Sequence, residues 1–473
     1  IAKNVNIYSA GIRTKLISDK EKLLINLKII FPSLNTKEIK NKMETKKFFY
    51  LKKRLKEQER KKLWSLGEKS IQFESKQIRL YPQRNLFSHV IGQIDDGNFG
   101  ISGIEKKFDE NLRNKPESLK LSLDSSLQFL IRDELLKDNE IFKTKGSAAL
   151  LMNINNGEIL SLLSLPDFDL NSRLKIDDSK YTNKITKGVY ELGSVFKTFT
   201  IAAGLELKII DKNTLFENLE STIKCSKYTI SEHDPLPKDL TAEQILIRSS
   251  NIGSVRVAQM VGLENFKNFL NSFDLFNRMD FDLEEMGTPI PFRWGKCKLA
   301  TASYGHGITT TLLQLARAYS ILGNGGYKIE PTLLKIDSKT KFNEQLISKD
   351  TSKEINSILR KVVFNEEGTA NFANIEGYEI AGKTGTAVKY GSKDKTNTFI
   401  SLFPYTNPKY VLVVLLDEPK LAPKDYVFVR PDGKKYKSEN IKRNTSGWNT
   451  VVVAGKIIEK IGPILAINNL QAV

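Results

Sequence analysis

The residues of this chain that could perform chemistry begin with Ser194 and Lys197. They lie three positions apart in the sequence Gly-Ser-Val-Phe-Lys-Thr, just ahead of the apolar run Ile201–Ala203. At this spacing in the first turn of a helix, the hydroxyl and the amine lie on one face. A serine hydroxyl needs an adjacent base to act as a nucleophile. The pair therefore predicts acyl transfer through a serine.

Two further motifs follow along the chain. Ser249 and Asn251 lie two positions apart in a turn-forming segment, and Lys383 begins the sequence Lys-Thr-Gly-Thr at the end of a strand-like run. Each motif alone is common in proteins without catalytic function. The ordered set S-x-x-K, S-x-N and K-T-G, each in a fitting local context, indicates one serine acyl-transfer site.

Lys197 is the expected base. The chain has three histidines, and none has the context of a catalytic triad. An ordinary lysine, with a pKa of about 10.4, is protonated at pH 7. Burial and a second cation, for which we expect Lys383, both lower that pKa. The positive potential of a helix N-terminus acts in the same direction.

The other polar side chains of the motifs have distinct expected roles. Ser249 is expected to relay a proton to a leaving amine, while Ser250 points elsewhere. The amide of Asn251 both donates and accepts, which suits it to hold Lys197 and a substrate amide together. The sequence has no His-x-x-x-His or Cys/His cluster, so we expect no metal and no cofactor.

The strand motif is expected to bind the substrate. Thr384 and Thr386 are suited to a terminal carboxylate, and Gly385 lets a substrate backbone lie close to the strand. The backbone N–H groups of Ser194 and Thr386 are expected to form an oxyanion hole.

Composition limits the class of protein. The chain has 473 residues, 40% of them apolar, and a net charge of +18, so at least two folded domains are expected. Such a charge suits nucleic acid, an anionic membrane surface or an acidic polymer. Lysine is abundant throughout and nucleic-acid-binding motifs are missing, so we favour a negatively charged cell-envelope surface and exclude nucleic acid.

Cysteines and termini give three further expectations. Cys225 and Cys297 match no metal or redox spacing, so we expect free thiols. No apolar run approaches the roughly 18 residues of a membrane span. The sequence opens on Ile1 with no signal segment ahead of it, which we interpret as truncation.

The order of predicted elements indicates an α+β fold in two domains. Residues 1–118 lack catalytic motifs, and their basic segment Thr36–Leu66 predicts a solvated helix. Residues 119–473 open with an amphipathic helix capped by Asp124. Strand hairpins are predicted at 148–163 and 398–416, with helices between them and a closing helix at 448–461. An antiparallel sheet built from both ends of the domain and flanked by helices follows.

These motifs resemble those of the class B penicillin-binding proteins over almost the whole chain. Gly100–Asp109 resembles the segment that leads from the N-terminal pedestal domain of this family to its transpeptidase domain, and Asn156–Leu160 resembles its first transpeptidase hairpin. Tyr304–Thr309 and Gln314–Tyr319 resemble its late helical stretch. Leu192 stands where many relatives have proline, which alters a loop but removes no catalytic group.

The resemblance implies a monofunctional peptidoglycan D,D-transpeptidase. A stem peptide would acylate Ser194 and release its terminal D-alanine, and the acyl group would pass to an amine of a neighbouring stem. β-Lactams would acylate the same serine. The implied partners are a membrane glycan polymerase and divisome proteins. The implied location is the bacterial inner membrane, reached through a single N-terminal anchor absent from this chain, with these domains in the periplasm.

Asn397–Pro404 and Leu415–Pro419 resemble the septal, cell-division branch more than the elongation branch. Three alternatives stay open at this point: a carboxypeptidase that uses water as acceptor, a β-lactam sensor or division scaffold without turnover, and a β-lactamase. The last is disfavoured because the Glu-x-x-Leu-Asn signature of class A enzymes is not matched; Lys267 stands at the glutamate position.

Overall fold

The apolar run Tyr410–Asp417 is the central strand of a five-stranded antiparallel sheet. Every residue of this strand is buried, as expected where both faces of a sheet are covered. The computed structural model describes residues 1–95, 97–115, 117–172, 179–226, 228–336 and 344–471.

Within these residues the secondary structure follows the chain from strand to helix and back to strand. The strands are β1 Lys3–Arg13, β2 Phe48–Leu55, β3 Ile71–Leu80, β4 Gly146–Asn153, β5 Ile159–Leu165, β6 Leu215–Phe216, β7 Thr222–Cys225, β8 Tyr228–Ser231, β9 Leu240–Thr241, β10 Ala381–Val388, β11 Lys395–Phe403, β12 Tyr410–Asp417, β13 Val427–Val429 and β14 Lys435–Lys437. The helices are α1 Lys20–Ile30, α2 Thr36–Thr45, α3 Glu57–Trp64, α4 Ser88–Ile91, α5 Gly103–Lys107, α6 Asp109–Asn114, α7 Ser125–Phe142, α8 Lys197–Glu206, α9 Ala242–Ile247, α10 Asn251–Val261, α11 Leu263–Ser272, α12 Lys298–Ala302, α13 Leu312–Gly323, α14 Lys349–Phe364 and α15 Thr450–Gln471.

The chain divides into two compact units. The first contains residues 1–83 and 94–98. Its antiparallel sheet has the order β2-β1-β3, and one small core joins the sheet to α1, α2 and α3. That core includes Ala10, Ile12, Leu23, Leu27, Ile39, Met43, Phe49 and Leu63.

The prediction of one solvated helix over Thr36–Leu66 is wrong. The segment forms α2, then β2, then α3, and β2 pairs with β1. The aromatic and β-prone residues at the start of β2 favour a strand, and Phe49 is buried in the core. The many lysines of the segment lie on exposed positions and conceal this short apolar pattern.

The second unit contains residues 84–93 and 99–473. Its main sheet has the order β10-β11-β12-β4-β5, with all neighbours antiparallel. The early hairpin β4–β5 thus joins the late strands β10–β12, as the sequence predicts, and the α+β class is confirmed. Our division of the chain after residue 118 rests on sequence and stays a prediction, and Pro116 beside it lies outside the described residues.

Helices cover this sheet, and α7 begins at its predicted cap. The Asp124 carboxylate accepts hydrogen bonds from Ser126 N at 2.8 Å and Leu127 N at 3.0 Å, so the predicted cap of α7 is confirmed. α7 packs on β4, β5 and α15, and α13 packs on β12. α15 runs beyond its predicted end at Ile461. In the described part of the chain, no helix combines the length and apolarity that crossing a membrane requires.

The prediction of free thiols is also wrong. Cys225 and Cys297 form a disulfide, with their Cα atoms 5.8 Å apart. The bond links β7 to the residue just before α12. The two cysteines are 72 positions apart in sequence, and only the fold brings them within bonding distance.

Candidate active site

Ser194 lies in a 3₁₀ turn, Gly193–Phe196, and Lys197 begins α8 directly after it. The sequence predicts a helical turn here, and the turn is of the tighter type. Ser194 is half-buried, and Lys197 is completely buried. Among the described residues the Ser194 hydroxyl forms no hydrogen bond, so the pair shares a turn without a direct bond between its side chains.

Two glycines let the nucleophile turn approach β10. A Cβ atom on Gly193 would lie 2.8 Å from Thr386 O, and one on Gly385 would lie 2.3 Å from Leu192 O. Gly193 also has a φ of +59°, in the left-handed region that favours glycine. Both glycines are therefore needed for Ser194 to lie beside the strand that carries Lys383.

Ser249 lies between the two lysines of the site. Its Oγ is 3.2 Å from Lys197 Nζ and 2.9 Å from Lys383 Nζ. Lys197 Nζ also donates a hydrogen bond to the carbonyl oxygen of Ser249. A hydroxyl has one donor and two acceptor lone pairs, so Ser249 connects the two amines through hydrogen bonds. All three motifs are thus brought together, as the sequence predicts.

Both lysines are completely buried. Burial lowers the pKa of Lys197 to about 7, although the nearby Glu232 carboxylate acts in the opposite direction. Burial also lowers the pKa of Lys383 well below its ordinary value, and the charge of Lys197 adds to this effect. At neutral pH at least one of the two amines can therefore be a free base.

Ser250 and Asn251, which follow Ser249, both form hydrogen bonds away from the two lysines. Ser250 caps α10: its Oγ accepts from Gly253 N at 2.8 Å, so it points away from the lysines as expected. The Asn251 amide differs from our expectation. It donates to Ser231 O at 2.8 Å rather than contacting Lys197, and its buried Oδ1 has no hydrogen-bond partner among the described residues.

The strand motif presents its threonines to a cavity of about 740 Å³, whose lining includes Ser194, Ser249, Thr384 and Thr386. Thr384 Oγ1 lies 2.8 Å from Thr369 Oγ1. Basic residues also line this cavity: Arg248, Lys395, Arg430 and Arg443. Carboxylates line the cavity as well, and two of them, Glu366 and Asp234, are paired with Arg430 and Arg443. The threonine hydroxyls and Lys395 are therefore the groups that suit a substrate that ends in a carboxylate.

Sequence reasoning missed three residues that support the motifs. Glu232, directly after β8, accepts hydrogen bonds from the start of α10. Thr369 contacts Thr384, and Ser446 N donates to Thr386 Oγ1 at 3.1 Å. Each lies in a distant segment without a motif of its own. In the described residues no group of three or more His, Cys, Asp or Glu side chains is arranged to hold a metal.

The arrangement can perform acyl transfer. Ser194 supplies a hydroxyl at the cavity, Lys197 supplies a buried amine with a pKa near neutrality, and Ser249 connects that amine to Lys383. The turn that carries Ser194 lies against the strand segment that carries Thr386, so the N–H groups of these two residues are the candidates for stabilising a developing oxyanion.

Comparisons with known proteins agree with this geometry. Residues 147–441 match the family model of the penicillin-binding protein transpeptidase domain, and residues 1–134 match that of the penicillin-binding protein dimerisation domain. The match to the transpeptidase domain covers well over half of the chain and contains every motif residue.

Individual relatives extend the likeness. The chain is 31% identical to the probable peptidoglycan D,D-transpeptidase FtsI of Caulobacter vibrioides over 86% of this chain and 70% of that protein. It is 33% identical to the peptidoglycan D,D-transpeptidase FtsI of Buchnera aphidicola over 72% of this chain and 66% of that one. Among solved structures, the transpeptidase domain of Burkholderia pseudomallei penicillin-binding protein 3 is similar, with a TM-score of 0.62 and 26% identity over 73% of this chain and 96% of that domain.

Proposed function

This chain belongs to the class B penicillin-binding proteins, and from that premise we propose that it is a serine-type peptidoglycan D,D-transpeptidase. The observation that carries the proposal is the pair of fully buried lysines on either side of the Ser249 hydroxyl, at the cavity that holds Ser194. Burying two amines without a contacting carboxylate is costly for folding. It is useful where an amine must be a free base at neutral pH.

The first half-reaction forms an ester on Ser194. Neutral Lys197 takes the hydroxyl proton as Ser194 Oγ attacks the carbonyl of the penultimate D-alanine of a stem peptide. The oxyanion is stabilised by the N–H groups of Ser194 and Thr386. The C–N bond to the terminal D-alanine then breaks, and the proton reaches the leaving amine through Ser249, which contacts Lys197 and Lys383.

Substrate binding is assigned to the β10 side of the cavity. The terminal carboxylate is held by the hydroxyls of Thr384 and Thr386, with the Lys395 side chain in the same lining. Gly385, which we expected to admit the substrate backbone, instead admits the nucleophile turn, since a Cβ atom there would lie 2.3 Å from Leu192 O. Asn251 is buried and is not among the residues that line the cavity, so its contact with a substrate amide stays a prediction.

The second half-reaction passes the acyl group to an amine of a neighbouring stem, which cross-links peptidoglycan and restores Ser194. We further propose that this occurs at the division septum, supported by the names of the relatives in Caulobacter vibrioides and Buchnera aphidicola. The protein would face the periplasm from the inner membrane and act with a glycan polymerase and divisome proteins. Penicillin would react covalently at the same serine.

Intact-mass spectrometry after incubation with a penicillin tests the proposal. We expect one added penicillin mass, mapped to the peptide that contains Ser194 and stable during a chase. Ser194→Ala abolishes the adduct, while Ser272→Ala, on the exposed side of α11, retains it. Labelling that persists in Ser194→Ala contradicts the mechanism, and an adduct lost within seconds indicates a β-lactamase instead.

A further inference from the structure

Glu232 binds the S-x-N segment through both oxygens of its carboxylate. Oε1 accepts from Ser250 Oγ at 2.6 Å and from Ile252 N at 2.9 Å. Oε2 accepts from Asn251 N at 2.8 Å. Glu232 directly follows β8, which forms a hairpin with β7. One carboxylate from another part of the chain therefore holds three consecutive residues at the start of α10.

These bonds fix the position of Ser249. Ser249 has a φ of +61°, which is unfavourable for a residue with a side chain. It lies between α9 and α10, and the first N–H groups of α10 have no acceptor within the helix. Because Glu232 accepts two of those N–H groups, it stabilises the helix start that follows the unfavourable conformation. Ser249 is thereby held with Oγ between Lys197 and Lys383.

Glu232 is also a negative charge beside the buried lysines. It acts on Lys197 to oppose the effect of burial. Other charged or titratable groups of this region are Lys383, His233, Lys395 and Arg443, and Arg248 and Glu366 line the same cavity. Arg443 is paired with Asp234. Among these groups the Glu232 carboxylate supplies the negative charge that acts on Lys197.

We propose that Glu232 is a positioning residue with two effects: its hydrogen bonds to the start of α10 hold Ser249 between the lysines, and its negative charge acts on the Lys197 amine. This inference rests on the proposed function, since it concerns the same acylation step. Glu232 lines the cavity, but its hydrogen bonds within the described chain go to the start of α10 and not to Ser194, Lys197 or Lys383. It acts through the backbone of α10 and through its charge.

The two effects predict separate changes. Loss of the hydrogen bonds lowers the maximal acylation rate, because Ser249 is less well placed. Loss of the charge lowers the pKa of Lys197 further, because a buried ammonium without a nearby carboxylate is less favourable. Lys197 then becomes neutral at lower pH. A capping role alone would change the maximal rate and leave the pH dependence as it is.

The experiment is the second-order rate of acylation by a fluorescent penicillin between pH 5 and 9, measured on the whole chain. This rate reports the pKa values of the free enzyme. In the wild type we expect it to rise with pH through a midpoint near the pKa of Lys197, about 7. In Glu232→Gln we expect the midpoint to move down by about one pH unit or more, with a lower maximal rate.

Three variants separate the effects. Ser250→Ala removes one bond to Glu232 but no charge, so it lowers the maximal rate and leaves the midpoint unchanged. Glu206→Gln is the matched control, because Glu206 accepts from Ser348 N and Oγ, both at 2.9 Å, at the start of α14. Its pH profile matches the wild type. Glu232→Asp, with its carboxylate drawn back by one methylene, moves the midpoint down by less.

An unmoved or raised midpoint in Glu232→Gln overturns the proposal, even if the maximal rate falls. Should that variant not fold, Glu232→Asp carries the test through its drawn-back carboxylate, and a maximal rate and midpoint that both equal those of the wild type overturn the proposal. Wild-type protein that penicillin does not acylate at Ser194 would contradict the proposed function itself, which is a different result from an acylated enzyme with an unchanged pH profile.

Discussion

Two regions of the second unit bury ionisable side chains, and they differ in whether a buried lysine contacts a carboxylate. Between α7 and α15, Lys456 Nζ lies 2.8 Å from Asp138 Oδ1 and 3.5 Å from Glu134 Oε1. Lys460 also contacts Glu134. We call these four residues the helix-pair ion cluster. Each of its buried carboxylates has a cation beside it, which is the usual condition for charge inside a protein.

The site lysine pair, Lys197 and Lys383, lacks such compensation. In the described chain the partners of both amines are hydroxyl and carbonyl groups, of Ser249 and Thr384, and neither amine contacts a carboxylate. Both side chains are fully buried. The pair therefore has more burial and less pairing than any lysine of the helix-pair ion cluster.

The same residue type consequently titrates in opposite directions in the two regions. Burial alone would lower the pKa of Lys456, yet the Asp138 carboxylate raises it to about 12. By contrast, burial lowers the pKa of Lys197 to about 7. A paired lysine stays charged and contributes to stability, while an unpaired one gives up stability and becomes a base near neutral pH. The comparison indicates where this fold carries function at the expense of stability.

Replacing one lysine in each region should give the largest difference in the rate of acylation by penicillin. Lys197→Met removes the base, so acylation by penicillin should fall by roughly a thousandfold or more. Lys456→Met leaves the catalytic groups in place and should retain the wild-type rate per folded molecule. Stopped-flow or gel-based labelling with a fluorescent penicillin measures both. A Lys197→Met rate within tenfold of the wild type would remove Lys197 from the mechanism.

For stability we expect the opposite result, because Lys456→Met should be the more damaging of the same two variants. Lys456→Met leaves Asp138 buried without its cation, which costs about 3 kcal/mol of unfolding free energy. Lys197→Met replaces a buried, uncompensated amine by an apolar chain and should keep or raise the stability. Denaturant unfolding at pH 7 measures both effects. Lys137→Met, which breaks only the exposed pair with Asp133 on α7, is the control and should be neutral.

Much of this site is predictable from sequence because each motif is local. Ser194 and Lys197 share a helical turn, and the Lys-Thr-Gly-Thr residues share a strand, so spacing alone places their side chains. The order of the motifs adds that they act together. The strand hairpins were likewise predictable, since the turn residues at 155–157 lie between two apolar runs.

What could not be predicted depends on contacts between distant segments. Glu232 follows the β7–β8 hairpin, which places it beside α10, and no spacing rule of the sequence links it to Ser250. Cys225 and Cys297 are joined in the same way. β2 is a strand because β1 offers it an edge, although most of its surrounding segment favours helix. In each case tertiary structure overrides the local pattern.

The pH dependence of stability gives a smaller but sharper test of the comparison. The pKa of Lys197 is about 10.4 in the unfolded chain and about 7 in the folded chain. Between these values the unfolded state binds more protons, so this residue makes stability rise with pH. The stabilisation in Lys197→Met should therefore be greatest at or below pH 7 and should shrink by about 2 kcal/mol by pH 9.

Lys456→Met provides the opposite expectation in the same unfolding experiment. The pKa of Lys456 is about 12 when folded and about 10.4 when unfolded, so both values lie above the tested range. Its contribution to stability is fully present at pH 7 and at pH 9, and is lost only as the pH rises through the folded value. The destabilisation in Lys456→Met should thus be at least as large at pH 9 as at pH 7, because burial already raises the pKa of Asp138 to about 6 beside Lys456 and raises it further without that cation. A stability difference between Lys197→Met and the wild type that is the same at pH 7 and pH 9 would show that Lys197 is compensated in the folded protein as Lys456 is, and the distinction between the two regions would fail.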